Sequence, residues 1–367
     1  MTSTIVPPSV PTVAAPASAP LTRGQLPRWA PWALLGGLIV ALGAVFALVS
    51  AASGEAFSIA GWLVVSGIAY VVLVTVLSGI VEGRRKATDR LVLALVTGAF
   101  VIAMIPLVSV AWTVIAYGVA RFDVMFFSNS MRNIVGEGGG ALHAIIGTLL
   151  ITLGAAVISI PIGLLTSIYL VEYGQGRKLA RGITFLVDVM TGIPSIVAGL
   201  FAYAVFALIF GPGVRMGIMG SVALAVLMIP VVVRSSEEML RLVPNELREA
   251  AYALGVPKWL TILKVVLPTS IAGITTGIML AISRVIGETA PLLITAGFAA
   301  SMNYNLFDGR MQTLPVFVYT EWANKGIPPE AYVDRAWAGA LTLIIIVMVL
   351  NLVARLVAKF FAPKTGR

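Results

Sequence analysis

Two side chains of opposite charge stand four residues apart in an otherwise apolar run, Ile282-Ser283-Arg284-Val285-Ile286-Gly287-Glu288-Thr289-Ala290-Pro291. A guanidinium is planar and permanently charged, and its fork of donors binds a tetrahedral oxyanion bidentately. A carboxylate repels such an anion unless the anion keeps a proton to donate, as phosphate does near neutral pH and fully ionised sulfate does not. Arg284 and Glu288 therefore suit a site for a protonated oxyanion, with Glu288 accepting from the anion or holding Arg284 while the site is empty. The competing reading is a structural pair that simply neutralises itself. On an unbroken helix the spacing puts both on one face, together with Gly277, Ala281 and the helix-kinking Pro291.

A second group of residues has spacing but no obvious reactive chemistry. Glu249-Ala250-Ala251 is followed by Gly255, then by Val265 and Leu267-Pro268, in a polar segment between two long apolar runs. A third is Gly192-Ile193-Pro194-Ser195, where a proline frees backbone groups that protein or water must satisfy. Ser195 and Thr191 offer hydroxyls there, while Asp188 reads mainly as a structural polar contact. Catalysis has little to work with. Cysteine is absent and His143 is the single histidine, read as an interfacial residue at a helix edge. There is no G-x-x-x-x-G-K-[ST] sequence, and Gly136-Glu137-Gly138-Gly139-Gly140 lacks both the Lys and a preceding strand. That run reads as a flexible connector. A chain of this kind hydrolyses no nucleotide, so work done by it draws energy from a partner, and no cofactor or metal is expected.

The elements that must position these residues are set by composition. Hydrophobic residues make up 59% of the chain and charged residues 11%, against about 45–50% and 25% in soluble domains. This is an integral membrane protein. Runs of about 20 apolar residues span a bilayer, and eight helices are predicted near 31–51, 59–81, 91–117, 143–171, 183–210, 217–234, 269–298 and 337–358. Residues 1–30, rich in Pro, Ala, Ser and Thr, are expected to be a disordered tail. Arg23 and Arg28 ahead of an apolar run resemble a signal peptide, but the run is long for one and is read as a retained helix. The net charge of +9 does not point to nucleic acid, because eighteen Lys and Arg fall in segments on one side of the eight helices. Six fall on the other (Arg121, Arg132, Arg215, Arg310, Lys325 and Arg335) and one inside a helix. The basic side is cytoplasmic by the positive-inside rule, which puts both termini and the segment 235–268 there.

Within that segment, residues 246–254 read as a short helix stopped by Gly255. Pro257 then opens a second short helix with Trp259, Leu260 and Leu263. Helices this short are marginal alone, and Leu254, Val256 and Trp259 are apolar groups with which to dock. Small residues at Ala250, Ala251 and Gly255 permit close approach. An amphipathic hairpin lying against lipid headgroups is the competing reading.

The E-A-A, Gly, Leu-Pro spacing resembles the cytoplasmic coupling loop of the permease subunits of ATP-binding-cassette importers, with Val265 where Ile is usual. The chain further resembles the PstA-type phosphate permeases of that group. The likeness is carried by Ser283-Arg284-Val285-Ile286-Gly287-Glu288-Thr289-Ala290-Pro291-Leu292 and by Gly192-Ile193-Pro194-Ser195-Ile196-Val197-Ala198-Gly199-Leu200-Phe201. It implies an all-α polytopic helix bundle, with a type I, MetI-like core of six helices over 90–367 and two accessory helices over 31–89. It implies substrate contacts at Arg284, Glu288, Ser195 and Thr191, and ATPase coupling through Glu249, Ala250, Ala251, Leu254, Gly255, Val256 and Trp259. The implied partners are a second permease of PstC type, two cytoplasmic ATPase subunits of PstB type and an external phosphate-binding protein of PstS type. Segment 299–336 reads either as a contact for that binding protein or as a connector. A permease for sulfate or molybdate, or a phosphate sensor that transports nothing, remain the other classes.

Overall fold

The computed structural model describes residues 24–361; most of the expected N-terminal tail lies outside the described residues. Long apolar runs without internal breakers form helices, which keep every backbone N–H and C=O satisfied inside the apolar layer. Among the described residues seven helices are long and apolar enough to cross a membrane, or eight with one bent pair counted as a span. No strand occurs among the described residues. The chain divides into two compact units, Met1–Val110 and Ala111–Arg367.

In the first unit, α1 (Ala30–Ser53) stops at Gly54, whose φ of 69° few other residues adopt cheaply. Helix α2 (Ile59–Val81) is capped by Ser58, whose side chain accepts from the Gly61 N–H. Gly43 leaves room for the ring of Trp62, whose Nε1 donates to the Ile39 carbonyl at 3.0 Å. Helix α3 (Arg84–Gly118) begins earlier than the apolar run, because Arg84, Arg85 and Lys86 form its first turn. Val40, Leu48, Ile68, Ile80 and Ile102 are well exposed on these helices, a surface that suits acyl chains.

The second unit holds α4 (Val124–Ser128), α5 (Leu142–Ile168), α6 (Lys178–Thr191), α7 (Ser195–Phe210), α8 (Gly217–Arg241), α9 (Asn245–Ala253), α10 (Lys258–Thr261), α11 (Leu267–Val285), α12 (Ala290–Thr295), α13 (Leu314–Ala323) and α14 (Pro329–Phe361). Its centre is the α5–α8 pair. Hydrophobicity gives helices little reason to associate in lipid, so close backbone approach at small residues carries the packing. A Cβ on Gly163 would meet Val232 Cγ1 at 2.6 Å, and one on Gly154 would meet Ser221 Oγ at 2.5 Å. Ser221 Oγ instead donates to the Ile151 carbonyl at 3.0 Å. Ile151, Leu224, Met228, Val232, Ala281, Val285 and Leu292 are buried in the same cluster, which joins α11 and α12 to the pair.

Three expectations are corrected. The predicted span 183–210 is two helices, α6 and α7, bent by 110° at Gly192-Ile193-Pro194, since the residue before a proline is driven out of the helical region. The seven-residue spacing that would put Asp188 and Ser195 on nearly one face of an unbroken helix therefore does not do so here. The predicted span 269–298 also breaks: α11 ends at Val285 and α12 begins at Ala290. Third, the predicted second short helix of the E-A-A segment is not separate, because Lys258–Val285 runs as one helix. Pro257 caps it rather than opening its first turn. A π-helical turn, Ile262–Val266, precedes Pro268 and absorbs the missing N–H and the ring clash that a proline imposes on a regular α-helix.

At the opposite end of the second unit the glycine run is pinned, not a free connector. Gly136, Gly138 and Gly139 take positive φ, and Arg335, 1% exposed, donates from Nη1 to the Gly136 carbonyl at 2.6 Å. Its Nε donates to Glu321 Oε2 at 2.7 Å. Burial pushes the Glu321 carboxyl up from its ordinary value, and the Arg335 charge opposes that without cancelling it. His143, in the first turn of α5, is buried within the protein, with Nε2 3.0 Å from Gln312 Oε1.

Candidate functional site

Arg284 occupies the last turn of α11, and Glu288 lies in the turn that follows, its N–H donating to the Val285 carbonyl at 3.1 Å. The break takes the two out of the one-face arrangement expected of an unbroken helix. Arg284 is exposed and Glu288 half-buried. Among the described residues neither is in an ion pair or a side-chain hydrogen bond, so they do not neutralise each other. Ser283, beside them, accepts from Asn351 Nδ2 of α14 at 3.0 Å.

The two helix breaks meet. A Cβ on Gly199, one turn into α7, would lie 2.6 Å from the Cα of Pro291 at the start of α12. Only glycine admits that approach. Ser195 stands at the first position of α7, half-buried and with no side-chain hydrogen bond among the described residues. Thr191 is otherwise engaged: its hydroxyl donates to the Asp188 carbonyl at 2.6 Å and closes the end of α6. Asp188 pairs with Arg234 of α8, which also reaches Glu237 at 3.1 Å, and Glu237 holds Arg241 at 2.6 Å. Asp188 thus stands in a chain of charges that ties α6 to α8. Arg234 and Glu237 escaped the sequence reading, although their three-residue spacing on an apolar helix was a usable signal.

In the E-A-A segment, α9 ends as expected at Gly255, φ 75°. The Val256 N–H donates to the Ala251 carbonyl at 3.1 Å and the Gly255 N–H to Tyr252 at 2.9 Å, closing the helix as a left-handed cap does. Ala251 is buried, Val256 half-buried, and Glu249, Ala250 and Gly255 are exposed. Leu254 is 83% exposed and Trp259 61%. Tyr252 and Leu263 are exposed alongside them.

What holds this segment was not foreseen. Arg248 donates to Glu172 Oε1 from Nε at 3.1 Å and from Nη2 at 2.9 Å, and also to the carbonyls of Leu240 and Val243. Lys258 donates to the Glu172 carbonyl and stands 4.9 Å over the Tyr173 ring. Glu172 lies in the π-helical turn Tyr169–Tyr173 that ends the α5 helix. The segment is thus bolted to the end of the central helix pair. The signal was a lone carboxylate closing an apolar span opposite a segment rich in Arg and Lys.

Residues 159–367 match the model for the binding-protein-dependent transport system inner membrane component. The chain belongs to that family. This member is similar to the "Phosphate transport system permease protein PstA 1" of Mycobacterium tuberculosis H37Rv, 46% identical over 289 residues, covering 77% of this chain and 91% of the relative. It is also similar to the PstA permease proteins of Mycobacterium leprae, 46% identical over 73% of this chain and 88% of the relative, and of Pasteurella multocida, 39% identical over 77% and 97%. A chain of the inward-facing MetNI methionine transporter aligns with 61% of this chain and 94% of its own length at 19% identity. Its TM-score of 0.47 is too low to add to the assignment, which rests on sequence. As an inner-membrane transport component, this family member is a permease and not an enzyme.

Proposed function

We propose that the chain is the transmembrane permease subunit of an ATP-driven inorganic phosphate importer, with both termini cytoplasmic, and that it forms half of the translocation pathway. The carrying observation is Arg284: an intramembrane guanidinium at a helix break, without a protein counter-ion among the described residues. A charge inside the apolar layer costs about 2.5–3.5 kcal/mol on insertion scales, and a passing anion repays it. Glu288 accepts a hydrogen bond from the proton that phosphate retains, and Ser195 supplies a hydroxyl where α7 meets α12. Thr191 contributes only after releasing the Asp188 carbonyl. The naming of relatives as phosphate permeases supports this cargo.

The E-A-A segment, with Glu249, Ala250, Leu254, Gly255, Val256 and Trp259 facing the cytoplasm, receives an ATPase subunit of PstB type. A second permease of PstC type completes the pathway, two ATPase subunits drive it, and a PstS-type protein delivers phosphate from outside. Closure of the ATPase pair pulls the coupling segments together and turns the bundle outward; hydrolysis returns it. Because Lys258–Val285 is one helix, displacement of the segment moves Arg284 directly.

The test is uptake of radiolabelled phosphate by cells carrying the assembled importer, with excess sulfate as competitor. Arg284→Ala is expected to abolish uptake while the complex still co-purifies. Normal uptake in that variant, or competition by sulfate equal to that by unlabelled phosphate, overturns the reading.

A further inference from the structure

The end of the second unit that carries the E-A-A segment also holds a cleft of about 270 Å³ that transport and coupling do not use. Gln175, Arg177, Arg181 and Thr184 line it from the side of α6, and Glu237 and Arg241 from α8. Glu237 is already committed to Arg234 and Arg241. Arg177 and Arg181 are exposed and make no ion pair or side-chain hydrogen bond among the described residues. The cleft therefore presents two guanidinium groups with no carboxylate left to meet them.

Helix α6 tells what meets them. Its residues divide into three faces. Ala180, Ile183, Val187 and Met190 are buried or half-buried against the bundle. Leu179, Phe185, Leu186 and Val189 form a largely apolar face that is 49–66% exposed, with the exposed Lys178 on it in the first turn. Between the two runs a polar strip of Arg181 and Asp188. The 110° bend at Pro194 sets α6 nearly across the direction of α7. Helix α7 is a 16-residue apolar helix, about 24 Å long at 1.5 Å per residue, and suits the apolar layer. When α7 runs through that layer, α6 lies along its surface. An apolar face beside a charged strip is the construction of a helix seated at the boundary of headgroups and acyl chains, and Arg181 is the charge of that strip without a counter-ion among the described residues, since Asp188 pairs with Arg234. The cleft then opens at headgroup depth, with acyl chains against Phe185 and Val189, the exposed apolar residues next around the helix from Arg181.

We propose that this cleft binds the phosphate group of an anionic phospholipid, with Arg177 and Arg181 as its ligands. The phosphodiester accepts from both guanidinium forks, and its acyl chains cover the apolar face that the protein leaves bare.

The full chain, purified in neutral detergent with the subunits that accompany it, is measured by native mass spectrometry against phosphatidylglycerol and phosphatidylcholine. Phosphatidylglycerol is expected to be retained selectively. The double variant Arg177→Gln/Arg181→Gln should lower that retention roughly thirtyfold, at about 1 kcal/mol for each basic residue near an anionic surface. Arg84→Gln/Arg85→Gln, which removes two exposed cations elsewhere, should leave it unchanged. Equal loss in both double variants reduces the effect to general surface charge and overturns the site. Full retention in the Arg177/Arg181 variant, or displacement of the lipid by millimolar inorganic phosphate, overturns it as well. Where the double variant does not fold, Arg177→Gln and Arg181→Gln are measured singly, each expected to lose roughly fivefold.

Discussion

Glu172 ties the E-A-A segment to the end of α5 through both its carboxylate and its carbonyl. Its carboxylate, 5% exposed, faces the Arg248 guanidinium at 2.9 Å, and its carbonyl takes the Lys258 ammonium. Removing one partner of a buried pair leaves a charge in a place that cannot solvate it, at about 3–5 kcal/mol. Glu172→Ala is expected to lower the melting temperature in detergent by several degrees. Glu172→Ala combined with Arg248→Met should recover part of the loss, because the orphan charge goes too. Additive losses in the double variant would mean that the pair is not the cause. The partners are 76 residues apart in the chain, so no local pattern announces the contact. Arg284 was legible for the opposite reason: a charge in an apolar run is conspicuous before any partner is known. Glu288 invites a sharper test than deletion. A glutamine keeps the shape but loses the charge that rejects a fully ionised anion, so Glu288→Gln is expected to make phosphate uptake more sensitive to sulfate, by about tenfold for each 1.4 kcal/mol of lost repulsion. Unchanged sulfate inhibition removes Glu288 from selectivity.

Among the elements, the existence of the helices and the places of their proline breaks were legible, but the extent of the breaks, which makes two helices of each run, was not. Apolar runs of 20 or more residues mark spans by length alone, but the run through Gly192-Ile193-Pro194 stays apolar where the backbone turns, and the run on either side of Arg284 and Glu288 is long enough to read as one span. The prolines at 194 and 291 pointed to kinks. What they could not give was that the two breaks lie against each other at Gly199. Gly199→Leu is the direct probe of that contact. Its side chain would have to displace the Pro291 backbone, which lies within 3.0 Å of the added Cβ. The variant is expected to insert in the membrane and to lose uptake. Gly199→Ala should show a smaller loss, since only the Cβ itself must fit. Wild-type uptake in Gly199→Leu would show that α7 and α12 are free to separate without consequence.

At the scale of the whole molecule, the second unit ends in a surface that is finished structurally but not solvated comfortably. The E-A-A segment is capped by Gly255 and bolted through Glu172, yet Leu254 and Trp259 remain largely exposed beside Tyr252 and Leu263. A rigid support with bare apolar side chains is the construction of a docking face, because little ordering entropy remains to oppose binding. Burying the side chains of Leu254 and Trp259 contributes about 1.5–3 kcal/mol each, so replacing both by aspartate is expected to weaken association with the ATPase subunit by two to four orders of magnitude. Neither side chain supports the fold from inside, so the variant chain should melt within a few degrees of wild type. Co-purification with the ATPase subunit and the melting temperature are read together. Retained ATPase subunit at wild-type stoichiometry sinks the docking face; loss of the subunit together with a large drop in melting temperature would make these side chains part of the bundle's own stability instead.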